Sequence, residues 1–334
     1  MDRAGFAIGI DVGGTATKLA AADSSGLCLR EIEIPTHAEH RPVRFVRRIA
    51  SVIRLVESEL GGPADGIGVG LAGDVDAARG VLRFAPNLRL WNGFNFKRAF
   101  ERAPVSGRGS GSRRVVVDND ANAAVWGAYV MEMGRRPSDV VGITLGTGVG
   151  GGLIIGGRLH HGATGSAGEI GHVKVEHPGL RCRCGSRGCL EAYAGSYGIV
   201  SRARKLLRTS AGRKSPLKDL APDPKDLDCR VLGLAAERRD PLALRVWAET
   251  ARYLAIGISD LVVLLNPDAV VILGGVSRAG PFLLGPIKEH LAREPFRTAF
   301  EAVSVRVARN PHWGCVGAAL LAWEAAGAAS QAGA

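Results

Sequence analysis

The sequence predicts an α/β protein built from two similar lobes with a cleft between them. The chain has 334 residues, which is long for one hydrophobic core and favours two. A pattern of strand, glycine turn, further strands and helices occurs once in each half, although the halves share no visible sequence identity. We expect one lobe from residues 1–118, completed by a C-terminal helix at 314–327, and a second from residues 119–313.

Apolar segments bounded by glycine and proline predict the elements of the first half. Ser24-Ser25-Gly26 is typical of a hairpin turn, and Gly61-Gly62-Pro63 ends a helix whose apolar residues recur at the helical period. The predicted order is strands at 6–10, 17–22 and 27–34, a helix at 43–60, a strand at 66–71, an irregular stretch at 79–96, a strand at 115–117 and a helix at 121–133.

The second half repeats the pattern. Gly156-Gly157 predicts a hairpin, Asn266-Pro267 ends a long helix, and Ser277 is expected to cap the helix that follows it. The predicted order is strands at 140–145 and 153–155, a polar helical region at 196–240, a helix at 246–265, a strand at 269–273, a helix near 282–292, a strand at 303–307 and a last helix from 314.

Composition narrows the class of protein. The net charge of +11 would suit nucleic acid, but the arginines are scattered and the few aromatic residues are not interleaved with them, so we expect no nucleic-acid partner. We expect no signal peptide, because the apolar run before Asp11 is too short, and the sequence has no apolar segment of membrane-spanning length, so we expect no membrane partner. A cytoplasmic, reducing location is predicted, in which clustered cysteines bind metal rather than form disulfides.

A metal site is predicted between residues 169 and 191. His172, Cys182, Cys184 and Cys189 form a four-ligand set of the kind that structural Zn²⁺ takes, and three of the six cysteines fall within eight residues. The alternative is three unrelated thiols beside a core histidine. Because Glu169 and Glu191 bracket the cluster, a bound metal would fix their positions.

Two stretches match G-x-G-x-x-G, at Gly68/Gly70/Gly73 and at Gly146/Gly148/Gly151. A dinucleotide-binding motif must open a helix, whereas a loop follows the first stretch and a strand follows the second. The chain also lacks the Gly-Lys pair of a Walker A loop. We therefore exclude both nucleotide-binding motifs.

The glycine turns after the strands instead predict phosphate contacts through their backbone amides. Thr15 and Thr147 add hydroxyl donors, and Lys18 adds positive charge. Asp11 ends a strand and is suited to hold Mg²⁺ through water. Glycine hairpins without a ligand are the alternative for either turn alone, but a further pair, Gly274-Gly275, follows a third strand and favours a nucleotide.

These motifs resemble those of a known family. Asp11-Val12-Gly13-Gly14-Thr15 resembles the first phosphate loop of the sugar kinase, Hsp70 and actin superfamily, whose lobes are actin-like (ribonuclease H-like). Asn119-Asp120-Ala121-Asn122, Gly168-Glu169-Ile170-Gly171-His172 and the Cys182–Glu191 run resemble the ROK family of sugar kinases and sugar-responsive repressors over residues 5 to about 320. One departure is Ala72, because many members carry proline before the glycine at that position.

The resemblance implies a role for each site residue. Asp120 would be the catalytic base; we prefer it to Asp118 because it opens a helix, whose amides and dipole favour a carboxylate. The implied sugar ligands are Asn119, Glu169, His172 and Glu191, and the implied zinc ligands are His172, Cys182, Cys184 and Cys189. The implied ATP contacts are Gly13, Gly14, Thr15, Thr147 and Gly148 at the phosphates and Gly274 and Gly275 near the adenosine, beside Asp11 and Lys18.

We therefore expect an ATP-dependent hexose kinase, with the 6-hydroxyl of glucose as acceptor. N-Acetylglucosamine, N-acetylmannosamine, mannose and fructose stay open as alternative sugars, and polyphosphate as an alternative donor. A sugar-sensing repressor is less favoured, because only ten residues precede Asp11 and a DNA-binding domain would need more. A non-catalytic sugar sensor is the other alternative. The family implies a homodimer or homotetramer.

Overall fold

The computed structural model describes residues 5–103, 114–209, 212, 215–310 and 312–332, with side chains as far as residue 325. The chain forms two compact units. The first comprises Met1–Gly134, Leu159–Ala167 and His312–Ala334, and the second comprises Arg135–Arg158 and Gly168–Pro311.

The elements of the described residues are as follows. The strands are β1 (Ala7–Val12), β2 (Ala16–Ala22), β3 (Cys28–Pro35), β4 (Gly66–Leu71), β5 (Asp74–Asp76), β6 (Val81–Phe84), β7 (Phe94–Asn95), β8 (Arg114–Asn119), β9 (Val140–Leu145), β10 (Val149–Ile155), β11 (Arg158–Leu159), β12 (Ala269–Leu273) and β13 (Ser304–Val307). The α-helices are α1 (Pro42–Glu59), α2 (Phe96–Glu101), α3 (Asp120–Met133), α4 (Glu191–Ala194), α5 (Ser196–Leu207), α6 (Leu217–Leu220), α7 (Cys229–Glu237), α8 (Pro241–Leu265), α9 (Pro281–Leu291), α10 (Arg297–Ala302) and α11 (Gly314–Ala332).

Each unit contains a five-stranded sheet with the same topology. The first sheet has the order β3-β2-β1-β4-β8 and the second the order β11-β10-β9-β12-β13. β1 pairs antiparallel with β2 and parallel with β4, and β9 pairs antiparallel with β10 and parallel with β12. The predicted repeat of the α/β pattern is therefore confirmed.

Glycines let helix α11 lie directly on the first sheet. Gly9 and Gly68 face each other in the register of β1 and β4. A methyl group on Gly9 would lie 1.7 Å from the Cys315 carbonyl oxygen, and one on Gly68 would lie 1.8 Å from that of Ala318. The G-x-G-x-x-G match at Gly68 is thus a packing surface for a helix backbone.

The boundary between the units differs from the sequence-based one at residue 118. Helix α3 belongs to the first unit because it packs against α11, where a methyl group on Gly317 would lie only 1.8 Å from the Ala123 carbonyl oxygen. The segment Leu159–Ala167 also belongs to the first unit, although it falls within the predicted second lobe.

Each unit has its own hydrophobic core. Helix α1 illustrates how the sequence builds the first core: Pro42 stands at its start, and the buried face carries Phe45, Ile49 and Ile53. Burying a side chain of that size contributes about 1.5–3 kcal/mol. The left-handed Gly61 that follows α1 accommodates the turn in which the helix ends.

Three local expectations were wrong. Residues 79–96 contain strands β6 and β7, which pair with β5 in a small three-stranded sheet, and a 3₁₀ turn at Arg89–Trp91. Strand β10 begins at Val149, so the glycines at 150–152 lie within a strand rather than in a loop. Ser277 lies in a 3₁₀ turn and donates to the Gly274 carbonyl oxygen at 2.7 Å, whereas Gly280 precedes α9.

Among the described residues, no helix is both long enough and apolar enough to cross a membrane.

Candidate functional site

In the first unit, the predicted phosphate loop is the tight turn between β1 and β2. The Gly13 amide donates to the Ala16 carbonyl oxygen at 3.0 Å, which closes the turn, and Thr15 is exposed at its tip. Thr36 holds the turn from behind, because its hydroxyl donates to Gly13 O at 2.7 Å and its amide donates to Thr15 O at 2.8 Å. The turn is therefore fixed before any ligand arrives.

Asp11 lies beside this turn, at the end of β1. Its cross-strand neighbour in β2 is Lys18, which also pairs with Glu33 at 3.7 Å. A methyl group on Gly314 would lie 2.4 Å from Asp11 Oδ2, so the carboxylate lies against the first residue of α11. Burial, together with the negative charge of Asp120, raises the pKa of Asp11 to about 7.

The surroundings of Asp11 suit a divalent cation. Burial and the charge of Asp120 disfavour the ionised form of Asp11, and a divalent cation beside Asp11 would favour it again. Oxygen ligands of this kind suit Mg²⁺. Asp11 in the first unit therefore fits the predicted role of holding Mg²⁺ through water.

The junction of β8 and α3 positions Asn119 and Asp120. Asn119 is the N-cap of α3: its Oδ1 accepts from the amides of Ala121 at 2.8 Å and Asn122 at 3.2 Å. Its Nδ2 donates to the Gly73 carbonyl oxygen at 2.9 Å. One amide hydrogen of Asn119 is left for a further acceptor such as a sugar hydroxyl.

Asp120 is the first residue of α3, and its Oδ1 accepts from the Ala121 amide at 3.0 Å. Burial nevertheless raises the pKa of Asp120, so desolvation outweighs the amide contribution that the sequence-based argument favoured. A raised pKa makes the ionised carboxylate a better proton acceptor.

Asp118 has a different environment from Asp120. It is only 4% exposed, and its Oδ2 lies 2.7 Å from His161 Nε2. Its Oδ1 accepts from Asn122 Nδ2 at 2.9 Å and from the Asn119 amide at 2.7 Å. The carboxylate of Asp118 is fully engaged with its own unit, which agrees with the structural role expected for it.

In the second unit, the predicted phosphate contacts at Thr147 and Gly148 form the turn between β9 and β10, at the position equivalent to the β1–β2 turn. The Gly146 amide donates to Gly148 O at 3.0 Å, and Thr147 is exposed. β12 runs parallel to β9, so Gly274 follows it at the same edge of the sheet, where a methyl group on Gly274 would lie 2.4 Å from Leu145 O.

Glycines allow strand β10 to pack closely against the turn that carries Glu169 and His172. A methyl group on Gly151 would lie 2.4 Å from the Ile170 side chain, and one on Gly171 would lie 2.0 Å from Val149 O. The second G-x-G-x-x-G match therefore allows close backbone packing. Glu169 and His172 lie at opposite ends of this 3₁₀ turn, with Oε2 and Nε2 3.9 Å apart.

The four predicted zinc ligands come together. One ligand atom from each of His172, Cys182, Cys184 and Cys189 lies within 4.8 Å of the others. The Cys184 and Cys189 sulfurs are 3.8 Å apart. Two Zn–S bonds of about 2.3 Å in a tetrahedron place the sulfurs about 3.8 Å apart, so the donor set and its spacing fit zinc.

Glu191 follows this cluster and opens α4. Its Oε2 accepts from the Val149 amide at 3.2 Å. Its Oε1 lies 3.4 Å from the Tyr197 hydroxyl and 3.5 Å from Cys182 Sγ. A methyl group on Gly148 would lie 2.3 Å from Oε2, so the contact between turn and carboxylate needs glycine there.

Sequence reasoning missed three residues of these arrangements. They are His161 beside Asp118, Tyr197 beside Glu191, and Lys174, whose Nζ lies 2.8 Å from Cys189 Sγ. Tyr197 and Lys174 lie close in sequence to the metal motif, and a cation beside a clustered cysteine could have indicated Lys174. No local signal indicated His161.

The duplicated sheet, with a glycine turn at the equivalent place in each copy and a carboxylate at the end of β1, defines a protein of the actin-like α/β fold. The ROK family model matches residues 7–325, and the chain belongs to the ROK family. The predicted family and fold class are both confirmed.

Individual relatives are similar over most of their length. A glucokinase of Streptomyces coelicolor is 35% identical over 325 residues, which cover 96% of this chain and 98% of that protein. A glucokinase of Thermotoga maritima is 36% identical over 284 residues, which cover 84% of this chain and 86% of that protein. A ROK family glucokinase of Streptomyces griseus, solved in complex with glucose and AMPPNP, has a TM-score of 0.80 at 34% identity, covering 96% of this chain and 100% of that one.

Proposed function

We propose that this chain is an ATP-dependent glucokinase, which transfers the γ-phosphate of ATP to the 6-hydroxyl of glucose. The observation that carries this proposal is the similarity over nearly the full length to the Streptomyces griseus glucokinase that binds glucose and AMPPNP. The chain keeps carboxylates, amides and glycine turns of the kind that such a reaction needs. Kinase activity on N-acetylated hexoses, mannose or fructose is the less favoured alternative.

Asp120 is the proposed base. Phosphoryl transfer through a loose transition state depends mainly on alignment and charge neutralisation, so the base orients the hydroxyl and accepts its proton late. The Asp120 carboxylate is held at the start of α3 by the Ala121 amide, and burial raises its pKa. Both features favour a fixed proton acceptor that is stronger than an exposed aspartate.

Glu169, His172, Glu191 and Asn119 are the proposed sugar ligands. Ionised carboxylates accept strongly from hydroxyl groups, which suits an uncharged polyhydroxylated substrate. Glu191 uses Oε2 for the Val149 amide, and a carboxylate has lone pairs left for a sugar hydroxyl. In the second unit, Glu169 and His172 are presented on one short turn.

The two glycine turns are the proposed phosphate contacts, through Gly13, Gly14 and Thr15 in the first unit and Thr147 and Gly148 in the second. Backbone amides at such turns bind phosphate oxygens, and Lys18 adds charge beside Asp11. Gly274 and Gly275 are the proposed contacts near the adenosine. Mg²⁺, which Asp11 would hold through water, would neutralise charge on the transferred phosphate.

Structural zinc is also proposed, held by His172, Cys182, Cys184 and Cys189. The support for it is the closed four-ligand set and its sulfur spacing. Its role is to hold the loop that carries Glu191 and to orient His172, so that the second ring nitrogen of His172 is free for the sugar.

A homodimer or homotetramer and a cytoplasmic location both stay predictions. Light scattering coupled to size-exclusion chromatography would measure the oligomeric state directly.

The test is a coupled assay of ADP release with ATP and five sugars: glucose, N-acetylglucosamine, mannose, N-acetylmannosamine and fructose. We expect the highest kcat/KM with glucose. A higher kcat/KM with another sugar would move the proposal to that substrate. Negligible release with every sugar would contradict a kinase and favour a sugar sensor. Polyphosphate releases no ADP, so the two donors are compared by measuring formation of the sugar 6-phosphate, once with ATP and once with polyphosphate.

A further inference from the structure

We propose that His161 is a positioning residue for the phosphoryl transfer, which acts through Asp118 to fix the start of α3 and so the carboxylate of Asp120. His161 is assigned to neither the phosphate turns, the sugar ligands nor the metal cluster. The inference rests on the proposed role of Asp120 as the base.

The contact between His161 and Asp118 is short, and its carboxylate is buried while the imidazole is partly exposed. His161 Nε2 lies 2.7 Å from Asp118 Oδ2, and Asp118 is 4% exposed. A hydrogen bond between an imidazole and a buried carboxylate is charge-assisted and is stronger than one between neutral groups. The bond to Asp118 raises the pKa of His161 against the opposing effect of its partial burial.

Asp118 also accepts hydrogen bonds from residues at the junction of β8 and α3. Its other oxygen, Oδ1, accepts from the Asn119 amide at 2.7 Å and from Asn122 Nδ2 at 2.9 Å. These two donors flank Asp120 in sequence, one before it and one on the first turn of α3. Asp118 therefore ties the residues on both sides of the base to one buried carboxylate, whose second oxygen depends on His161.

His161 comes from a segment that is anchored to the first unit by other contacts. Leu159–Ala167 belongs to that unit although the residues before and after it belong to the second. The Arg83 guanidinium donates to the Thr164 carbonyl oxygen and, at 3.3 Å, to Ser166 Oγ. Ser166 Oγ in turn donates to Asp74 Oδ1 at 2.9 Å. Removing the His161 imidazole thus deletes the bond to Asp118 but leaves these anchors in place.

The consequence is a specific effect on turnover. Without His161, Asp118 Oδ2 is a buried acceptor without its partner, and the carboxylate lowers its free energy by rotating or by accepting a hydrogen bond from water. Each response changes the bonds to Asn119 and Asn122. A shift of about 1 Å in a reacting group can reduce the rate about 100-fold. The Asn119 side chain keeps its own bonds to the Gly73 carbonyl oxygen and to the amides of Ala121 and Asn122, so glucose binding should change little.

The experiment compares three variants with the wild-type enzyme in steady-state kinetics. His161→Ala removes the imidazole, His161→Gln keeps an N–H donor at similar reach, and His160→Ala is the matched control at the exposed neighbouring histidine. We expect kcat of His161→Ala to fall between about tenfold and 100-fold, with KM for glucose and for ATP within about twofold. His161→Gln should recover most of the loss, and His160→Ala should match the wild type.

The pairing itself is tested with Asp118→Asn and the double variant. If His161 acts through Asp118, kcat of the double variant is no lower than kcat of the more impaired single variant, because both substitutions remove the same interaction. Should His161→Ala fail to fold by circular dichroism, Asp118→Asn, which conserves volume, is compared with the wild type for the same kcat loss at constant KM.

Three outcomes overturn the inference: kcat within about twofold of wild type in His161→Ala, equal losses in kcat and in glucose affinity, or no recovery in His161→Gln. Each leaves the proposed function intact, because the wild-type enzyme still phosphorylates sugar. A wild-type enzyme without kinase activity contradicts the proposed function instead.

Discussion

The Glu191 carboxylate accepts a hydrogen bond from the Val149 amide at 3.2 Å, which links the metal-ligand loop to the glycine turn between β9 and β10. The same carboxylate lies 3.5 Å from Cys182 Sγ. One side chain therefore contacts both the proposed zinc cluster and the proposed phosphate turn. Within the second unit, changes at either place are expected to reach the other.

Gly148→Ala is predicted to impair the turn. The added methyl group would lie 2.3 Å from Glu191 Oε2, so either the turn or the carboxylate must move. We expect KM for ATP to rise and kcat to fall, together by about tenfold or more in kcat/KM. Gly146→Ala is the matched control, because a methyl group there meets no atom within 4 Å. Equal kinetics for both alanine variants would contradict the link.

Zinc is predicted to be structural and to support sugar binding. Cys184→Ser should remove most of the zinc, which we expect at about one ion per chain in the wild type. Glucose affinity should fall at least about tenfold, because the loop that carries Glu191 loses its anchor. Cys28→Ser, at an exposed cysteine of the first unit, is the control. Metal analysis and calorimetric titration with glucose measure both effects, and Cys184→Ser with full glucose affinity would refute the prediction.

The pH dependence of stability is predicted to report on Asp11. Its pKa in the folded protein is about 7, above the ordinary value of 3.8, because of burial and the nearby Asp120. The folded state therefore binds this proton more tightly than the unfolded state, and ionisation of Asp11 lowers stability as pH rises from about 4 to about 7.

Asp11→Asn removes this penalty. Without Mg²⁺, its melting temperature should exceed that of the wild type at pH 8, and the difference should shrink at pH 5. Scanning fluorimetry in EDTA measures it, with the exposed Asp219→Asn as control. The same difference at both pH values would show that Asp11 is not the titrating group.

Gly68→Ala is predicted to destabilise the first unit. Its methyl group would lie 1.8 Å from the Ala318 carbonyl oxygen of α11, a backbone atom that cannot rotate away. Overpacking of this kind costs about 1–3 kcal/mol of unfolding free energy. Gly233→Ala in α7, where nothing lies within 4 Å, should instead add about 0.5–1 kcal/mol. Denaturant unfolding compares the two, and a Gly68 variant as stable as wild type would contradict the packing.

The sequence predicted those elements and sites whose pattern lies within a short stretch of the chain. The apolar alternation and glycine turns located most strands to within a few residues, and the cysteine spacing located the ligand cluster. The glycine motifs that contain Gly68 and Gly151 do not open helices, as expected, but their packing role depends on partners distant in sequence, Ala318 and Ile170. Such contacts leave no periodicity for a sequence to show.

The same reason explains what was missed. His161 lies 43 residues from Asp118 along the chain, and no motif marks it. The boundary of the first unit at Gly134 follows from the packing of α3 on α11, which joins residues that are far apart in sequence. Burial also reversed the expected electrostatics at Asp120, because the desolvation of a side chain is a property of the folded state.

The role of Asp120 as the base is decided by comparing turnover and glucose binding between the wild-type enzyme and Asp120→Asn. Asparagine keeps the size of the side chain but cannot accept the proton. We predict that kcat falls by about 10²–10⁴-fold, while the glucose dissociation constant measured by calorimetry stays within a few-fold of wild type. A variant that retains kcat, or one that loses glucose affinity as much as kcat, would contradict it.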